Sequence, residues 1–183
     1  MNKGSSYIGT CALCKQSVPL CDSHLIPKAV FRLLRRQSIQ NKSPVIFGDG
    51  FSYQTDRQIA DYLLCRSCED RFDRRGEKWV LEQCYRGESR FRLRSCVESV
   101  SPDDQYGDLR IYCLAKNPGL TQNNTDSLIY FAMSVFWRAG ARTWIHDGRR
   151  IHVELGPYLE PIRLFLNDEA PFPPAYHRGC ENH

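Results

Sequence analysis

Apolar positions recur at helical spacing in several stretches of the chain and alternate with polar ones in others. After Pro27, "KAVFRLLRRQSI" sets Val30, Phe31, Leu33 and Leu34 against Lys28, Arg32, Arg35 and Arg36, which predicts an amphipathic helix with a basic edge. "CEDRFDRRGEKWVLEQC", ending at Cys84, spaces Phe72, Trp79, Val80 and Cys84 as a helix would, with Gly76 weakening its middle and Glu69 and Asp70 in the dipole-favoured first turn. "SRFRLRS" alternates strictly, with Arg90, Arg92 and Arg94 on one side and Phe91 and Leu93 on the other, which predicts a half-buried strand. "DLRIYCLAK" reads as another strand. "TDSLIYFAMSVFWRAGAR" opens on Thr125 and Asp126 and runs into a long apolar segment, a largely buried helix in which Trp137 and Trp144 belong to a core or an interface. "RRIHVELGPYLEPIRLFLND" gives a short strand, a Gly-Pro break and a last helix, and the proline-rich tail reads as extended. Residues 40–57, rich in Gly, Ser, Asn and Asp, read as a loop with one short strand.

At 183 residues and 42% hydrophobic, the chain can bury one good core or two small ones, and its composition is neither fibrous nor disordered. The first residues lack the apolar core of an export signal, and no stretch approaches the ~18 consecutive apolar residues of a membrane span, so a cytoplasmic protein with no membrane partner is expected. Nine cysteines in a reducing compartment favour metal binding over a disulfide framework. Charge is uneven along the chain. Residues 1–99 hold 17 Lys and Arg against 11 Asp and Glu, net +6, and residues 100–183 hold 8 against 10, net −2. A basic first half attracts polyanions such as nucleic acid, although so small an excess also suits plain solubility.

Two Cys-x-x-Cys pairs stand out, Cys11 with Cys14 and Cys65 with Cys68. Each pair can turn two thiolates toward one ion, and together they match a closed tetrahedral zinc site. The rival reading is two unrelated pairs of buried cysteines. The first pair sits at a short turn-prone segment suited to a hairpin and the second at the start of a predicted helix, the arrangement called a treble clef. Cys21 could replace one ligand, although its spacing is unpaired, and Cys84, Cys96, Cys113 and Cys180 read as isolated buried or surface thiols. His146, His152, His177 and His183 have no ligand-like spacing.

Between the pairs lies "CDSHLIPK". The order Cys-x-x-Cys, "SHLIP", "LLCRSC" resembles the HNH endonucleases of the ββα-metal type over roughly residues 8–85, and with "FWRAG" and "LGPYLEPIR" the whole chain resembles a group of bacterial HNH-like proteins. The resemblance implies an α+β fold: a treble-clef ββα-metal HNH-like zinc core over residues 8–99 and an added α-rich, α+β subdomain over 100–183. It implies that His24 is the general base of DNA phosphodiester hydrolysis, assisted by a catalytic magnesium or manganese ion beside the structural zinc, in a role such as defence against foreign DNA. The chain departs from the family pattern at three places. Ser23 precedes the histidine where a metal ligand is usual, with Asp22 one step earlier. "IADYLLC" holds Asp61 and no asparagine, and Glu69 follows the last cysteine in place of a histidine. The catalytic set implied is therefore His24, Glu69, Asp22 and Asp61, with Glu69 a competent ligand for a hard cation.

Lys28, Arg32, Arg35 and Arg36, with Arg90, Arg92 and Arg94, are either solvated faces or, taken together, a track for the DNA backbone. Three readings thus stand: an HNH-type nuclease, a treble-clef module that binds nucleic acid or a protein partner without chemistry, or a purely structural partner in a larger complex, which the apolar 127–142 segment favours. The C-terminal half is a candidate surface for such a partner.

Overall fold

The computed structural model describes residues 7–37, 45–48, 51–54, 57–84, 92–107, 109–112 and 119–172, with the side chains of 33–37, 45–48, 51, 53, 84 and 109 outside that description. The fold is mixed α+β with small sheets. In chain order come β1 (Ile8–Thr10), β2 (Ser17–His24), α1 (Lys28–Gln37), β3 (Val45–Gly48), β4 (Phe51–Gln54), β5 (Ala60–Cys65), α2 (Arg66–Phe72), a π-helical turn (Asp73–Glu77), α3 (Lys78–Cys84) and α4 (Arg92–Glu98). Then follow β6 (Asp104–Tyr106), β7 (Leu109–Ile111), α5 (Gln122–Ala141), β8 (Trp144–His146), β9 (Arg149–Ile151), a 3₁₀ turn (Gly156–Tyr158) and α6 (Leu159–Leu166). Among the described residues no helix is long and apolar enough to cross a membrane.

The elements group into two compact units that do not follow chain order: residues 1–70 with 135–155, and 71–134 with 156–183. The first unit holds a three-stranded antiparallel sheet in the order β1-β2-β5. Its core contains Leu13, Leu63, Leu64, Trp137 and Trp144, and the Trp144 indole N–H donates to the Arg138 carbonyl at 2.9 Å. The second unit is built on Phe72, Val80, Tyr130, Ile162 and Leu166. There Phe72 meets Tyr130 edge-on at 5.9 Å, and the Tyr130 hydroxyl donates to the Leu166 carbonyl at 2.7 Å. The Arg75 guanidinium lies 4.4 Å over the Tyr130 ring, a cation–π contact.

Three expectations change. Over its described residues the alternating "SRFRLRS" is not a strand: Arg92–Glu98 is α4, and 89–91 lie outside the described residues. Over eight residues the half-buried Leu93, Cys96, Val97 and Val100 follow an i, i+3, i+4, i+7 stripe, and Arg94 bridges Glu98 at 2.9 Å, so helical periodicity prevails over five residues of alternation. The 40–57 stretch carries two paired strands, β3 and β4, in place of one, separated by Asp49-Gly50, the residue pair that hairpin turns favour. Finally, α5 begins a turn earlier than Thr125. Thr121 caps it, its Oγ1 accepting the Asn124 N–H at 3.3 Å and its carbonyl the Thr125 N–H at 3.1 Å. Thr125 lies inside the first turns and is buried.

Candidate metal centre

The first cysteine pair sits in the turn between β1 and β2, and the second straddles the junction of β5 with α2. Lys15, at φ 62°, supplies the left-handed residue that closes the first knuckle, and its N–H donates to the Cys11 carbonyl at 2.9 Å. The Ala12 N–H donates to the Leu63 carbonyl at 3.0 Å, which ties this knuckle to β5. As a result the Sγ atoms of Cys11, Cys14, Cys65 and Cys68 all lie within 4.8 Å of one another, with Cys14 and Cys65 3.9 Å apart. Four thiolates at the usual zinc–sulfur bond length stand about 3.8 Å apart at the corners of a tetrahedron. The four cysteines are thus placed to hold a metal ion, and the all-sulfur donor set fits zinc.

Hydrogen bonds to the sulfurs complete the site. The Cys65 N–H donates to Cys11 Sγ at 3.3 Å, and Ser67 Oγ lies 3.1 Å from Cys65 Sγ. Cys11 takes a hydrogen bond from the Cys68 thiol, which with backbone donors draws its pKa down to about 4, while sharing that proton and burial push Cys68 up. Four thiols so close cannot all ionise without a cation among them. Burial and the nearby Glu69 push the Cys21 thiol up, and its sulfur is not among the four that cluster. Cys96 is half-buried elsewhere, and Cys113, Cys180 and the Cys84 side chain lie outside the described residues.

The other sequence-derived site residues divide. Between Leu20 opposite Cys65 and Asp22 opposite Tyr62, the β2–β5 register shifts, so Cys21 faces both Leu63 and Leu64. This β-bulge lets consecutive leucines both be buried. Ser23 serves it: 1% exposed, its Oγ accepts the Leu64 N–H at 3.1 Å. With Ser23 turned inward, Asp22 and His24 fall on the opposite, outer face of β2, Asp22 exposed and His24 half-buried. Asp61 and Glu69 are instead held by arginines. Asp61 Oδ2 takes the Arg142 Nε–H at 2.6 Å, and Arg142 also donates to the Tyr62 carbonyl at 3.2 Å. Glu69 Oε2 lies 3.7 Å from a terminal nitrogen of Arg138, itself 2% exposed. Among the described residues, the four cysteines are the only group of three or more His, Cys, Asp or Glu close enough to hold a metal ion.

Of the basic residues, Lys28 and Arg32 are exposed one turn apart on α1, while the side chains of Arg35 and Arg36 and all of Arg90 lie outside the described residues. Arg92 and Arg94 are exposed on α4, in the other unit. Sequence reasoning missed the bulge-supporting role of Ser23 and the carboxylate-holding roles of Arg138 and Arg142. The arginines carried a usable signal: two cations four apart at the end of an apolar helix need anionic partners.

No family model, curated protein or solved structure matches the chain.

Proposed function

We propose that the chain is a zinc-pinned, treble-clef module of HNH type that hydrolyses DNA phosphodiesters, with His24 as general base. The observation that carries this reading is the pairing of an acid and an imidazole, Asp22 and His24, on one outer strand face of a sheet anchored by the four cysteines. Here His24 would take the proton of the attacking water as a phosphorus–oxygen bond forms and the bond to the leaving 3′ oxygen breaks. Asp22 would hold a magnesium or manganese ion, which supplies Lewis-acid stabilisation of the phosphate. Lys28 and Arg32 would meet the backbone of the same strand. A cytoplasmic role against foreign DNA fits this reading.

The second reading, a module that binds nucleic acid or a protein partner without cleavage, is favoured by a different observation. Two of the four acid and base candidates, Asp61 and Glu69, already have arginine partners. Plasmid nicking separates the two. Under the first, purified protein nicks supercoiled DNA with magnesium or manganese but not with EDTA, and His24→Ala abolishes nicking with the zinc content unchanged. Under the second, protein with one zinc per chain retains DNA in a salt-dependent way and yields no product.

A further inference from the structure

The outer face that carries Asp22 and His24 also carries aromatic surface. Tyr62 is the cross-strand partner of Asp22, so the two side chains stand side by side on that face. Tyr7 stacks on Tyr62, with ring centroids 4.9 Å apart and planes 22° from parallel. Its position is fixed by its own backbone, since the Tyr7 carbonyl accepts the Leu20 N–H at 2.8 Å. Gly9 leaves room for the ring, because a Cβ there would stand 3.0 Å from both Tyr7 Cε1 and Leu20 Cδ1. Stacked on each other, Tyr7 is still 54% and Tyr62 39% exposed, more than a covering role requires.

We infer that the stacked Tyr7–Tyr62 pair is a platform for an unpaired nucleobase, so that the nucleic acid this face takes is single-stranded or locally opened. The chemistry favours this occupant over an apolar peptide. Two near-parallel aromatic rings offer a π-face, which every base matches, and the exposed Lys28 and Arg32 of α1, the helix that follows β2 in the basic half of the chain, suit a phosphate backbone. In an intact duplex the bases are already stacked on each other and cannot reach the platform.

The inference rests on the nucleic-acid part of the proposed function and not on cleavage. It is tested with the full-length, zinc-loaded chain in buffer without other divalent ions, by fluorescence anisotropy of a labelled oligothymidylate, an abasic oligomer of equal length and charge, and a duplex. The expected result is oligothymidylate binding about 5- to 100-fold tighter than abasic binding, with the preference removed by Tyr62→Ala and kept by Tyr62→Phe. Equal affinity for the first two oligomers overturns the platform with no variant needed, as does a preference that survives Tyr62→Ala. A Tyr62-dependent preference with no magnesium- or manganese-dependent cleavage of either plasmid or single-stranded oligonucleotide leaves the platform standing and removes the nuclease reading. Nicking that depends on His24 without any base preference does the reverse.

Discussion

At Ser23 a hydroxyl stands where the HNH pattern places a metal ligand, and its geometry explains what it does instead: it accepts the N–H of the bulge residue Leu64 inside the first unit. Ser23→Ala would leave that buried amide without its acceptor, and the expected cost is about 1–3 kcal/mol in chemical denaturation with zinc content retained. Ser23→Asp is expected to be worse, because it places a charge at a site 1% exposed. A second residue-level effect is pH-dependent. The Arg163 guanidinium, 2.7 Å away, and the Asn167 amide hold the Glu169 carboxyl below its usual value of 4.5. A depressed carboxyl contributes stability that is fully present above the usual value and lost as pH falls through the folded one. Thermal melts should therefore show Glu169→Gln less stable than the parent at pH 7, with the difference closing as the pH falls from the usual value of 4.5 through the lower value of the folded carboxyl. A gap independent of pH would mean that Glu169 acts through shape alone.

Elements were legible where one periodicity ran unopposed. The last helix after the Gly-Pro break, the hairpin at the first knuckle and the helix starting at the second follow their patterns, and the pairing of Cys11 and Cys14 with Cys65 and Cys68 was readable from spacing. α4 escapes the pattern because five alternating residues hide an eight-residue helical stripe, and the start of α5 is hard to read because Thr125 looks like a cap as much as the true one, Thr121. The bulge on β5 was not legible at all: it follows from how β2 pairs with it, not from either sequence alone. Gly76 is the element-scale case with the sharpest consequence. The sequence marks it as a weak point in a helix, and the chain there opens into a π-helical turn. Its bare Cα also allows α5 to approach, since a Cβ at Gly76 would lie 2.9 Å from the backbone N and Cα of Phe131. Backbone cannot yield as a flexible side chain can, so Gly76→Ala is expected to destabilise by about 1–3 kcal/mol, against the small gain that Gly→Ala gives inside an ordinary helix. A higher melting temperature for Gly76→Ala would show that the two helices are free to separate there.

On the scale of the whole molecule, residues from the far end of the chain complete the unit that holds the metal centre. Within that unit Arg138 reaches Glu69, Arg142 reaches Asp61, and Arg57 pairs with Asp147 at 3.1 Å, joining residues 135–155 to residues 57–70. The three pairs differ in weight. Arg57 is 76% exposed and its bridge contributes little in water, whereas Arg138 is 2% exposed and meets Glu69, the residue directly after Cys68. Glu69 keeps a quarter of its side chain exposed, so losing Arg138 leaves a partly solvated carboxylate without its cation and a gap in the core, a loss of about 1–3 kcal/mol, and Arg138→Met should be more damaging than Arg57→Met. The double variant Arg138→Met/Glu69→Gln should recover part of the loss, because the unpaired carboxylate is then removed as well. The metal enters the same balance. Four crowded thiols that cannot all ionise without a cation make metal binding part of folding, so a chelator should loosen the unit containing both Trp137 and Trp144, buried at 1% and 0%. The expected signature is a red shift of tryptophan emission on chelation, reversed by added zinc, with Arg138→Met reaching it at a lower chelator concentration than the parent. If chelation leaves the emission unchanged, the four cysteines do not hold this unit together and the arginine pairs and apolar core suffice.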